Sequence, residues 1–81
     1  MEETIRTILV ENARLAVDID SISDDTDLFG AGMTSHASVN VMLALEDAFD
    51  IEFPDSLLRK STFASVDAIR AAVDEVTEKA T

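Results

Sequence analysis

Ser35 is the residue whose type and setting most invite chemistry. It closes the run Asp27-Leu28-Phe29-Gly30-Ala31-Gly32-Met33-Thr34-Ser35, a glycine-punctuated loop, and leads into His36–Asp50, a stretch with helical apolar spacing. A hydroxyl at such a place meets unpaired backbone N–H groups and the positive end of a helix macrodipole. Both favour a negatively charged substituent, and a phosphodiester is one. The simpler role for a serine here is to cap the helix. No general base adjoins it, so it is not an activated nucleophile of the hydrolase kind. Ser38 is a second hydroxyl nearby, but it falls one turn inside the expected helix, close to the core stripe, and ranks below Ser35.

Other side chains offer less. His36 is the lone histidine, and catalysis or metal binding would need partners it lacks. Asp18, Asp20, Asp24, Asp25 and Asp27 form a carboxylate cluster that invites comparison with a calcium-binding loop. The EF-hand pattern fails: counted from Asp18, the fifth position is Ile22, the sixth is Ser23 rather than glycine, and the twelfth is Phe29. No catalytic residue and no metal site is assigned.

The elements that must position Ser35 follow from composition and periodicity. At 81 residues the chain is read as one domain, 1–81, and its 47% hydrophobic content supports a folded core over a disordered acidic tail. Asp and Glu number 17 against 6 Lys and Arg, a net charge of −11 that repels nucleic acid and anionic lipid and attracts basic surfaces. Cysteine is absent, which excludes disulfides and thiolate metal sites. No apolar run is long enough to span a bilayer, and Met1-Glu2-Glu3 is unlike a signal peptide, so a cytoplasmic location is expected.

Ile5, Ile8, Leu9, Ala13 and Ala16 predict a first helix over roughly 2–16. The polar stretch Asp18–Thr34 is long for a loop, and Ile19, Ile22, Leu28 and Phe29 are expected to anchor it across the helices. A second helix is expected from about Ser35 to Asp50, with Val41, Met42, Leu45, Ala48 and Phe49 facing the core. Val39 and Leu43 lie off that stripe, on a face with His36, Asn40 and Asp47. Pro54 suits the start of a short third helix or single turn over Asp55–Lys60. Val66, Ile69, Val73 and Val76 then predict a final helix capped by Ser65. The fold class is all-α: three main helices plus a short one, with a long loop between the first two.

The order Asp27-Leu28-Phe29-x-x-Gly32-x-x-Ser35, then Leu43–Asp50, then Ile51-Glu52-Phe53-Pro54-Asp55, then Phe63-Ala64-Ser65-Val66-x-x-Ile69, resembles the acyl and peptidyl carrier protein family over nearly the whole chain. The resemblance implies a four-helix carrier-protein bundle. It also implies that Ser35 receives 4′-phosphopantetheine from coenzyme A through a phosphopantetheinyl transferase. Where the fatty-acid form of the family has Asp-Ser-Leu, this chain has Thr34-Ser35-His36, which points away from housekeeping fatty-acid synthesis. The string from Ala37 to Ser65 is most similar to free-standing carriers loaded by amino acid:carrier protein ligases, relatives of class II seryl-tRNA synthetases. That likeness implies an amino acid held as a thioester on the arm, passed to a downstream acyl acceptor enzyme, by a monomer that is not itself an enzyme. A specialised fatty-acid or polyketide carrier is the alternative. An unmodified acidic helical adaptor or a calcium-binding module is the alternative of another class. In carrier families the second helix is the docking surface, which here assigns Thr34, His36, Val39, Asn40, Leu43, Glu46 and Asp47 to partner enzymes.

Overall fold

The computed structural model describes residues 2–13 and 15–80, the side chains of Lys79 and Ala80 excepted. Three α-helices form its frame: α1 (Glu2–Asn12), α2 (Ser35–Phe49) and α3 (Val66–Ala80). Among the described residues there is no strand. α1 packs on both α2 and α3. Its buried face carries Ile5, Ile8 and Leu9, which meet Val41 and Leu45 of α2 and Val66, Ile69 and Val73 of α3 in one core.

α1 ends at Asn12, four residues short of the expected boundary. The cause is tertiary: the Ala16 N–H donates to the Ala31 carbonyl at 2.9 Å, which draws the chain off the helix axis and onto the glycine-containing loop. Gly32 allows this approach. It has φ of +115°, and a Cβ there would stand 2.9 Å from Ala16 N. Ala16, expected in the core stripe, is exposed.

The α1–α2 connection is stitched in place. Ile22, Leu28 and Met33 are buried, and Ile19 and Phe29 pack half-buried against the core, so the expected apolar anchors hold. Backbone bonds fix the crossing: Leu28 N–H donates to Ala64 O at 2.7 Å, and Asp67 N–H donates to Asp24 O at 2.9 Å. Arg6 of α1 reaches the Ile19 carbonyl at 3.0 Å and the Asp24 carboxylate at 2.7 Å.

The expected short third helix resolves into two 3-10 turns, Asp55–Leu57 and Lys60–Phe63. Between them Arg59 is extended, at φ −130° and ψ 154°, which breaks any continuous helix. Phe53 and Phe63 close this side of the core edge to face, with ring centroids 5.6 Å apart. Ser65 caps α3 as expected, its Oγ accepting the Ala68 N–H at 3.1 Å.

Candidate functional site

The first turn of α2 separates two jobs that the sequence leaves together. Thr34, in extended conformation, is the N-cap, and its Oγ1 accepts the Ala37 N–H at 3.0 Å. Ser35 is therefore the first residue of the helix proper and is spared the capping role. It is exposed, and its Oγ makes no hydrogen bond within the described chain. Ser38 is committed locally: its hydroxyl donates to the Ser35 carbonyl at 2.6 Å. The loop ahead is held by Asp27, whose Oδ1 accepts the Phe29 N–H at 3.1 Å and whose carbonyl accepts the Ala31 N–H at 3.0 Å.

Ser35 lies between two concave surfaces. On one side a groove of about 320 Å³ is walled by Phe29, Val39, Met42, Leu58 and Phe63, with Arg59 and Lys60 also lining it. Lys60 Nζ stands 4.7 Å from the centre of the Phe29 ring, a cation–π contact. On the other side a polar cleft of about 370 Å³ is bordered by Asn12, Gly32, Thr34, His36 and Asn40.

Of the residues assigned to a partner face, Thr34, His36, Val39, Asn40, Leu43 and Asp47 are exposed. Val39 and Leu43 are apolar yet 49% and 53% exposed, so the helix does present more apolar surface than its core needs. His36 and Asn40 border the polar cleft and Val39 borders the apolar groove, so these positions bracket Ser35. Glu46 differs. It is half-buried, and its Oε2 accepts the Phe53 N–H at 2.9 Å, so its carboxylate braces the chain after α2. In the core stripe, Val41 and Leu45 are buried and Met42 and Phe49 are half-buried, while Ala48 is exposed.

Three of the five loop carboxylates have other work. Asp24 pairs with Arg6, Asp25 accepts from the Ser23 hydroxyl at 2.7 Å, and Asp27 holds its own turn. Among the described residues no three His, Cys, Asp or Glu side chains are grouped to hold a metal ion. Sequence reasoning overlooked the Arg59–Lys60 pair. An adjacent pair of cations in so acidic a chain was the available signal, but its nearness to Ser35 depends on the two 3-10 turns.

Residues 3–73 match the family described as a phosphopantetheine attachment site, a span that contains Ser35. An aminoacyl carrier protein of Agrobacterium fabrum is 51% identical over 73 residues, covering 90% of this chain and 88% of that protein. Among solved structures, similarity extends to a crystal structure of an engineered Bradyrhizobium japonicum glycine:carrier-protein ligase complexed with carrier protein from Agrobacterium tumefaciens and AMP. The match there has 50% identity and a TM-score of 0.89, over 91% of this chain and 99% of that one. A solution structure from Agrobacterium tumefaciens matches at 46% identity and a TM-score of 0.76, over the full length of both chains.

Proposed function

The chain belongs to the phosphopantetheine attachment family, and from that premise we propose that it is an aminoacyl carrier with Ser35 as the attachment residue. The prosthetic group supplies a thiol on a long arm, to which a carboxylic acid is joined as a thioester. The protein supplies the anchor and the address.

One observation carries the assignment to Ser35: Thr34 takes the capping bond, which leaves the Ser35 hydroxyl exposed and unbonded at the start of α2. The residues fit the group. The N–H groups of the first turn favour the charge of a phosphodiester there, and Ser38, the competing hydroxyl, is engaged with the Ser35 carbonyl. Ser35 has no base hydrogen-bonded to it, so deprotonation of the hydroxyl falls to the phosphopantetheinyl transferase, along with the metal ion for phosphoryl transfer. The chain carries; it does not catalyse.

An amino-acid cargo is supported by the Agrobacterium fabrum relative, itself an aminoacyl carrier protein. A ligase as loading enzyme is supported by the crystallised ligase–carrier complexes. Docking would use the exposed positions Thr34, His36, Val39, Asn40, Leu43 and Asp47, where apolar contacts and negative charge suit brief, steered encounters. A downstream acyl acceptor completes the cycle.

The test is direct. Wild-type protein incubated with coenzyme A and a broad-specificity transferase gains one arm by intact mass, and Ser35→Ala gains none. The modified protein then gains an amino acid with a cognate ligase and ATP. A wild-type mass that stays unchanged would leave an unmodified adaptor as the better account.

A further inference from the structure

Arg6 and Arg70 are committed to architecture. Arg6 pairs with Asp24 at 2.7 Å, and Arg70 pairs with Asp67 at 2.7 Å and approaches Glu2 at 4.0 Å. Arg59 and Lys60 belong to no ion pair among the described residues, although the chain carries a net charge of −11. Both are exposed, and both line the groove that Ser35 borders. Two cations outside any ion pair line the same groove as one hydroxyl, on a protein otherwise dominated by carboxylates, and so favour an anion there.

The groove offers two kinds of surface. Cations stand on its lining beside an apolar wall of Phe29, Val39, Met42, Leu58 and Phe63. The arm that Ser35 would carry has groups suited to both: a phosphodiester, and near it a carbon bearing two methyl groups, before a hydroxyl and amides. An arginine fork suits phosphate oxygens, and a lysine adds a compact point charge.

We propose that Arg59 and Lys60 hold the phosphodiester on Ser35, and that the apolar wall takes the dimethyl segment that follows, so that the arm is laid into the groove at its base. This rests on the reading that Ser35 bears the arm. The same cations disfavour an ammonium group, which weights the aminoacyl end of a loaded arm away from the groove. The contact is a weak one. Exposed charge pairs shift an equilibrium by roughly twofold to fivefold, and salt screens them.

The experiment compares NMR spectra of the full chain before and after modification, for wild type and for Arg59→Gln/Lys60→Gln, with attachment first verified by intact mass. In wild type, modification should shift the side-chain signals of Val39, Met42, Leu58 and Phe63. Raising the salt should shrink those shifts. In the double variant the bound-to-free ratio of the arm's base should fall roughly twofold to fivefold. Arg59→Gln alone, which leaves Lys60 over Phe29, should show part of that loss. Shifts confined to residues 34–38 in wild type, shifts insensitive to salt, or a double variant that matches wild type would each overturn the pairing. Wild type that gains no mass would overturn the Ser35 reading itself, a result distinct from modified protein with an undisturbed groove.

Discussion

The Glu46 carboxylate accepts the Phe53 backbone N–H at 2.9 Å, fastening the last turn of α2 to the segment that leads toward the 3-10 turns. Phe53 is buried, so its N–H would be left poorly satisfied without that carboxylate. Asp47, the next residue, is exposed and free of such a bond. Neighbouring acids on one helix thus serve different ends. Glu46→Ala should cost about 1–3 kcal/mol in denaturant unfolding. Asp47→Lys should change stability by no more than about 0.5 kcal/mol yet slow loading by a cognate ligase, more at low ionic strength than at high. Wild-type loading of Asp47→Lys at low salt would remove Asp47 from the docking surface.

Thr34 and Ser35 should part in the same way. Thr34→Ala deletes the cap and should cost about 0.5–2 kcal/mol, which lowers Tm by several degrees in a domain of this size. Ser35→Ala should leave Tm nearly unchanged while abolishing attachment. A larger Tm loss in Ser35→Ala than in Thr34→Ala would reverse the assignment of the two hydroxyls.

Leu28 lies in a connection without a helix around it, yet it is fully buried. Leu28→Ala should therefore behave as a core truncation and cost about 2–5 kcal/mol in urea unfolding. A cost near that of a surface substitution would mean that the loop is a dispensable strap.

Much of this was legible beforehand. The valine and isoleucine spacing of α3 and its Ser65 cap needed only local chemistry, and the loop's apolar anchors were visible as lone hydrophobics in a polar run. Two features were not. Where α1 stops depends on Ala16 meeting Ala31, a bond across the fold that no helical periodicity encodes. The cations beside Ser35 come from a segment more than twenty residues later, brought there by turns whose geometry local propensity did not specify. The capping hydroxyl was a closer miss: Thr34 and Ser35 both suit the role, and one residue of register decides which is left free.

Acid response should expose a small internal conflict. Protonated Glu2 donates a hydrogen bond to Asp24, which raises the pKa of Glu2 above its ordinary 4.5, and the negative charge of Asp24 adds to the effect. That bond, with the bond from Arg6, lowers the pKa of Asp24 below its ordinary 3.8. The stabilisation linked to Glu2 is fully present below pH 4.5 and is lost as pH rises through its higher folded value. The stabilisation linked to Asp24 is present above pH 3.8 and is lost as pH falls through its lower folded value. Glu2→Gln keeps a donor facing Asp24 and removes the charge. Its unfolding free energy relative to wild type should be greater at pH 7 than at pH 4. An equal difference at both values would dissociate Glu2 from Asp24.

The backbone bonds from Leu28 to Ala64 and from Asp67 to Asp24 reach from the approach to α2 into the start of α3. A nascent chain of which only the first sixty residues have emerged does not yet present the acceptor or the donor that secures that approach. The serine's surroundings are completed by Ala64 and Asp67, so an enzyme that reads the folded surface would meet a finished site only once that segment has joined the fold.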